Sequence, residues 1–504
     1  MSEDWDAIVV GAGPNGLVGA ATLARQGWRV LVLEAKARPG GAVWSEELTL
    51  PGYLHDVGAA FFPFADDSPA FRYLDLKAAG LQFQNAPFES CHPAPDGSCA
   101  AISRDIERSV NSFGPDGLAW RRLAEWQQSM GDRLSAALLA PLPSLRPAWR
   151  LGLVNLTKMG AFGLRTPAGW SRRYFQTEAA RRIIPALALH VDLGPNDATG
   201  AGLGLVLALL AAGSGFRVPI GGAKAITQAL IRRLEEHGGQ VKLNCRVNSV
   251  VVRERKVSAV CTDLGDEIPV RRAILADVGA PALFLKLLDN QWVSGWLQKS
   301  MRRFRYGWGT FKMDWALSGP VPWSANEARE SAVVHAGDSI EDLVKFTGEV
   351  RSGLLPSNPY LVIGQQSLVD PSRAAPGQHT LWAYSHVPSQ IAGSWPTCRE
   401  QFADRMEQRI EGLAPDFRGL IQARAIHSPD DLESMDENLV GGDLGGGSAR
   451  WSQQLFFRPA FPYFRYRTPI QGLYLASAST HPGAGVHGAC GFNAAHMAIR
   501  DMKR

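Results

Sequence analysis

Residues 6–41, DAIVVGAGPNGLVGAATLARQGWRVLVLEAKARPGG, admit few folds. An apolar run, Ala7 to Val10, breaks at Gly11, Gly13 and Gly16, and a helical pattern follows with Leu17, Ala20, Ala21 and Ala24 at its small or apolar positions. Gly27 stands where that helix stops. A second apolar run, Val30 to Leu33, then delivers an acid, Glu34, about 20 residues past the glycines, the spacing of a dinucleotide-binding β–α–β unit.

Each residue type has its own physical reason. Gly11 permits the tight turn, Gly13 lets backbone amides approach a pyrophosphate, and Gly16 lets helix and strand pack closely. The unpaired N–H groups at the helix start, with the positive end of its dipole, face the phosphates. Glu34 accepts hydrogen bonds from a ribose diol, and its charge disfavours a 2′-phosphate. A glycine triplet alone is weak evidence; strand, helix, second strand and acid in register leave a purely structural β–α–β unit as the lesser alternative.

The remaining sequence narrows the class. A chain of 504 residues suggests two or three structural units, and 45% hydrophobic with 20% charged residues is ordinary for a folded enzyme. A net charge of +4 is too mild to argue for nucleic acid, and no nucleic-acid motif is present. The polar, acidic start leaves no room for a signal or transit peptide ahead of the first strand, so a cytoplasmic protein is expected. The six cysteines contain no CxxC pair, which argues against a zinc site and a redox-active disulfide, although Cys91 and Cys99 could pair under oxidant.

Small residues at 58–60 suit either the face of a flat ligand or a tight turn before Phe61, Phe62 and Phe64. Residues 90–213 read as mainly helical. Within them, 133–177 carries Arg133, Arg146, Arg150, Lys158, Arg165, Arg172 and Arg173, no acid, and interleaved Trp149, Phe162, Trp170, Tyr174 and Phe175. That mixture suits a helix at an anionic membrane surface. A solvated basic face over a partly buried helical layer is the commoner meaning of a charge run. Residues 198–212 are the most apolar run, shorter than the roughly 20 needed to span a bilayer, and read as a buried helix able to line a lipophilic cavity.

From 215 the α/β pattern returns, with a helix at 225–236, alternating strands at 241–252 and 256–264, an apolar strand at 271–276 and a short helix at 280–288. Residues 291–442 hold mixed strands (311–317, 361–368, 380–387) and a helix at 399–413. The Gly-rich stretch 430–447 lacks a P-loop ending and reads as a lid or connecting loop. Residues 472–498 form a short strand, a glycine series (Gly483, Gly485, Gly488, Gly491) and a helix through His496. This second amide-rich helix start could stabilise negative charge on a ligand.

The pairing of GAGPNGL, LEAK and PGGA near the start with YRTPIQGLYLASASTHPGAGVHGACGFNAA at 466–495 resembles the phytoene-desaturase-like FAD-dependent flavoproteins. That group spans carotenoid desaturases, desaturase-like ketolases, redox-neutral prolycopene isomerases and the pyridine nucleotide-disulfide oxidoreductase domain-containing protein two group. The likeness covers both ends and the stretch 219–276, about half the chain. It implies an α/β fold: a discontinuous Rossmann-like FAD-binding domain (1–90, 215–290, 443–504) with an inserted mixed α+β substrate domain (91–214, 291–442) that contains a helical part able to face a membrane. Arg38-Pro39-Gly40-Gly41, a second glycine turn with a cation, favours FAD over NAD by chemistry plus this resemblance.

Carried over, the resemblance places Gly11, Gly13, Pro14, Asn15 and Gly16 at the pyrophosphate, Glu34, Ala35 and Lys36 at the adenosine ribose, and Gly40, Gly41 and Ala42 beside the diphosphate. It also implies adenine contact through the Val247 backbone, and Ser479, Thr480, Gly485 and Val486 along the flavin. Related flavoproteins often carry Gly-Asp where Ser479-Thr480 stand; this chain lacks that acid. The implied reaction is hydride removal from an activated or allylic C–H of a lipophilic, isoprenoid or carotenoid substrate to flavin N5. A ketolase, a redox-neutral isomerase, or a non-enzymatic lipid binder on the same fold are the alternatives. His481 and His487 flank the flavin turn and are the candidate proton carriers, with His55 a weaker third, although a histidine in a turn is more often structural. No metal constellation is present.

Overall fold

The computed structural model describes residues 5–65 and 67–503. Strand β1 (Trp5–Val10) pairs in parallel with β2 (Val30–Leu33) on one side and with the second half of β3 (Glu267–Ala276) on the other. Both β1 and β2 are buried along their whole length, as interior parallel strands must be, which is why they read as continuous apolar runs. Strand β4 (Leu473–Leu475) joins β3 in parallel, and Gln240–Lys242 joins β2. Antiparallel strands Val247–Arg253 and Lys256–Thr262 extend the sheet to seven.

The expected single strand at 241–252 is therefore two. Asn244 takes a left-handed φ of 50°, and the N–H groups of Asn244 and Cys245 donate to the carbonyls of Lys36 and Glu34. The chain leaves one sheet edge there and re-enters as an antiparallel strand.

Helix α1 (Pro14–Ala24) starts on a proline that fixes its first turn, and it packs against the last helix, Ala489–Met502. The crossing depends on missing side chains: a Cβ on Gly491 would run into the carbonyl oxygen of Asn15. The two ends of the chain thus meet at the dinucleotide turn.

A second seven-stranded sheet runs in the order Ile421–His427, Gly309–Leu317, His379–Val387, Leu361–Gly364, Ser331–Ala336, Phe88–Cys91, Ala101–Ile102. Strand Phe88–Cys91 belongs wholly to it, so the strand straddles the expected boundary at 90. Helix Trp395–Glu411 covers one face, packing on Phe311, Met313 and Trp315. The alternate residues Thr310, Lys312 and Asp314, and their cross-strand partners His386, Tyr384 and Trp382, point to the other face.

That inner face is met by a helical layer that includes α2 (Leu145–Leu151), α3 (Leu153–Gly163), α4 (Pro167–Tyr174) and α5 (Gly200–Ala212). Helix α5 is largely buried, as its composition implies. The supposed lid at 430–447 is partly a helix, Pro429–Met435, opened by a capping box between Ser428 and Asp431. None of the helices among the described residues is long and apolar enough to cross a membrane. Cys91 and Cys99 are thiols whose sulfurs lie 3.1 Å apart.

Candidate functional site

Four chain segments converge at the carboxyl ends of β1, β2 and β3. Gly11 follows β1 with φ 95°, its N–H donating to the Leu33 carbonyl. Glu34 follows β2 and turns back to the glycine turn: its Oε2 accepts from the Ala12 N–H at 2.7 Å and its Oε1 from the Lys36 N–H at 2.9 Å. Gly40 donates to the Ala12 carbonyl, so the second glycine turn lies against the first. Ala42 carries the 58–60 segment, accepting from the Ala59 N–H; a Cβ on Gly58 would stand 2.5 Å from the Ala42 oxygen. Val247 lies two positions past Cys245, whose amide bonds to the Glu34 carbonyl.

Two acids in this cradle escaped the sequence reading. Asp277 follows β3, and its Oδ2 accepts the Gly16 N–H at 2.7 Å. Burial, reinforced by the charges of Asp436 and Glu34, pushes Asp277 up to about 8, so it carries a proton at neutral pH. Asp436 reaches over Gly41, whose Cβ would stand 2.8 Å from Asp436 Oδ2, and burial lifts its carboxyl above the usual range. Asn438 completes the strap, accepting from the Gly279 N–H and donating to the Asp277 carbonyl. Lys36 Nζ holds the Ser434 carbonyl at 2.8 Å. A strand ending in an acid, as β2 ends in Glu34, was the available signal for Asp277. Asp436 and Asn438 had none, because they act through tertiary placement.

The C-terminal segment closes the cradle. Ser479 Oγ accepts from the Ala280 N–H at 3.1 Å and donates to the Gly446 carbonyl, which ties the flavin segment to the residues just past Asp277. Thr480 donates its hydroxyl to Ser477. Gly483 and Gly485 take φ values of 97° and 112°, and fully buried Arg458 braces them by donating to the carbonyls of Ala478 and Gly445. Val486 is partly buried between Gly485 and the start of Ala489–Met502.

The two nominated histidines have different surroundings. His481 Nε2 lies 3.1 Å from the Ala140 carbonyl and so donates to it, a structural use. His487 Nδ1 accepts from the Ala489 N–H at 3.1 Å, which assigns the proton to Nε2; that buried N–H has no partner of good geometry, the Gly483 and Ala484 carbonyls being nearest. Burial lowers both to about 4, so both are neutral at pH 7. His55 lies apart, on the second sheet's inner face, with Nδ1 3.7 Å from Asp314.

The residues fit a flavin dinucleotide. Glycines stand where a side chain would fill the cradle, as a Cβ on Gly13 would, 2.7 Å from Asp277 Oδ2. Buried polar atoms, Asn15 Oδ1 and His487 Nε2, are left without partners along it. Opposite, the second sheet presents Trp382, Tyr384 and His386. Phe61, just past the 58–60 segment, meets Trp382 edge to face at 6.1 Å, and Trp308 meets His386 at 5.7 Å. His386 Nδ1 lies 3.4 Å from the Gly309 carbonyl and the Leu189 carbonyl is also near the ring, its Nε2 having no partner of good geometry, while the Trp382 Nε1–H has no partner. Asp314, the carboxylate of that face, is buried against the Lys312 ammonium. Among the described residues no cluster of His, Cys, Asp or Glu could hold a metal ion.

Comparison with known proteins agrees with this geometry. The chain is 26% identical over 553 aligned positions to the rat pyridine nucleotide-disulfide oxidoreductase domain-containing protein 2, covering all of this chain and 94% of that one. It is 24% identical to the neurosporene-forming phytoene desaturase of Rhodobacter capsulatus, over 95% and 91% of the two chains. An oxidoreductase crystal structure from Methanosarcina mazei superposes with a TM-score of 0.65 at 14% identity, over 99% and 100% of the chains. The model of the flavin containing amine oxidoreductases matches residues 15–491. With two glycine turns, a strand-end acid and a C-terminal helix start converging on one groove, the chain belongs to the flavin-containing amine oxidoreductase family and is an FAD-dependent oxidoreductase.

Proposed function

We propose that the enzyme dehydrogenates a lipophilic, isoprenoid-type substrate, the vicinal proton passing to His386. The observation that carries this reading is the inner face of the second sheet. It joins Trp382, Tyr384 and Trp308 to Phe61, which follows the 58–60 segment, and its carboxylate is already neutralised by Lys312. An aromatic wall without a free carboxylate suits an apolar chain better than a cationic amine. The relation to a phytoene desaturase points the same way.

When bound, FAD supplies the two-electron acceptor, taking hydride at N5. The protein's own part is to bind, orient and remove a proton. The Gly13 amide, with the positive end of α1, meets the diphosphate, Gly11 and Gly16 give it room by lacking side chains while their own N–H groups bond to Leu33 and Asp277, and Glu34 holds the ribose. The wall holds the substrate chain flat and excludes water. Loss of hydride from one carbon and of a proton from its neighbour leaves a double bond. His386, buried and neutral on this face, is the base to which the reading gives that proton.

Anaerobic mixing of the holoenzyme with polyene and monoterpene hydrocarbons tests the reading. Bleaching of the visible flavin band, with a product that has lost one hydrogen pair, is the expected result. A product of unchanged mass or with added oxygen would replace dehydrogenation by isomerisation or ketolation. Bleaching by amines alone would refute the lipophilic assignment.

A further inference from the structure

Helices α2 and α3 form a hairpin that exposes apolar side chains instead of burying them. Leu145 is 75% exposed, Trp149 83%, Leu153 76% and, just past the hairpin, Leu164 81%. Helix α3 has no buried residue along its length. A surface helix of a soluble protein normally turns such residues inward.

The charge on the hairpin is one-sided. Residues 133–177 contain no Asp or Glu, and Arg146 and Arg150 recur one turn apart beside the stripe made by Leu145 and Trp149. Under α3 lies an open cleft of about 260 Å³ lined by Ala161, Phe162, Arg165, Trp170, Arg173 and Tyr174, so cations flank the apolar surface at its base as well. An acidic protein partner would be met by charge alone; apolar side chains standing in a ring of cations need a partner that is anionic at its surface and oily just beneath.

We infer that this hairpin docks on an anionic phospholipid surface, with Leu145, Trp149, Leu153 and Val154 entering the headgroup boundary and Arg146, Arg150, Lys158 and Arg165 meeting lipid phosphates. The inference assigns a lipid partner to a surface that plays no part in binding the flavin. It also deepens the substrate reading, and that part rests on it. The loop just before α2 is fastened to the flavin segment: His481 donates to the Ala140 carbonyl and Asn493 to the Leu139 carbonyl. The docked hairpin therefore holds the site at the bilayer where an apolar substrate resides.

Flotation of holoenzyme with phosphatidylcholine vesicles, with and without phosphatidylglycerol, tests the docking. Binding is expected only with phosphatidylglycerol, weakening as salt rises. It should fall about tenfold or more in Trp149→Ser/Leu153→Ser and in Arg146→Gln/Arg150→Gln. Phe457→Ser/Phe461→Ser, on the other exposed aromatic patch, should bind as wild type. No binding to anionic vesicles, wild-type binding by both hairpin variants, or loss of binding only in the Phe457/Phe461 variant would overturn the inference. A concentration-dependent dimer abolished by the hairpin variants, without vesicle binding, would assign the surface to a second copy of the chain and overturn it too. Flavin content and bleaching in detergent-free buffer are read in parallel, so a failure of the substrate reading shows there and leaves the flotation result intact.

Discussion

At the dinucleotide turn, atoms are packed until a single methyl group has nowhere to go; along the α2–α3 hairpin, tryptophan and leucine stand in the open. What separates the two regions is where the partner of each side chain lies. Around the turn the glycine Cα atoms are hemmed in from inside, Gly11, Gly13 and Gly16 by Asp277 and Gly491 by Asn15. In the hairpin, Leu151 and Phe162 anchor the inner side to the helical layer, while Leu145, Trp149 and Leu153 on the outer side stand exposed. Close packing inside the molecule makes a region intolerant of change, and an external partner leaves it tolerant of change when alone and sensitive when docked.

The sharpest way to break that contrast is Gly491→Val. Its Cβ would collide with the Asn15 carbonyl, backbone that cannot move aside without shifting α1 and the turn above it. Overpacking against backbone costs about 3 kcal/mol or more. The variant should be isolated without flavin and with a sharply lowered Tm, if it is isolated at all. A yellow protein of unchanged Tm would show that the chain ends do not approach as closely as described.

His386→Gln acts on chemistry instead of packing. Glutamine keeps a donor near the Gly309 carbonyl but cannot accept a proton, so flavin reduction by substrate should slow about a hundredfold or more with flavin content unchanged. Equal slowing by His487→Gln and none by His386→Gln would move the proton acceptor to the C-terminal turn.

How far each region could be read from sequence follows the same division. The β–α–β unit and the C-terminal glycine series were readable because local turn chemistry and long-range packing make the same demand there: Gly11 needs a positive φ and Gly16 a bare Cα, whatever else the chain does. Glu34 was readable because it ends an apolar strand. Asp277 ends β3 in the same way and was passed over, since nothing local says that β3 lies beside β1. Asp436 and Asn438 fell in a stretch taken for a loop; a capped helix sets them over the groove from far along the chain. The inner wall of Trp382, Tyr384 and His386 was hidden by alternation, which gives two faces but not which one meets the cofactor.

Asp277→Asn probes the electrostatics of the packed region. With its carboxyl raised to about 8, Asp277 is neutral below that pH and ionised above it. Ionisation adds a negative charge beside Glu34 and Asp436, where the diphosphate is to lie, so FAD affinity should fall as pH rises through 8. Asparagine can still accept the Gly16 N–H and never ionises. The variant should bind FAD about tenfold more tightly than wild type near pH 9 and equally near pH 6, measured by fluorescence titration. Parallel pH profiles for the two proteins would mean that Asp277 does not face the phosphates.

The smallest effect is expected where the side chain is largest. Trp149 is 83% exposed and lies outside the buried clusters of the fold, so Trp149→Ser removes a big apolar group without opening a cavity. Stability in buffer should change by no more than about 0.5 kcal/mol, the range for surface positions, and flavin content not at all. The same substitution at Trp120, fully buried and stacked on Phe113 at 4.6 Å, should cost about 3 kcal/mol or more. Thermal denaturation of the two variants side by side measures the contrast directly. If Trp149→Ser were as damaging as Trp120→Ser, the hairpin would be packed against the body of the protein in solution, and the division between an internally held cradle and an externally held hairpin would fail.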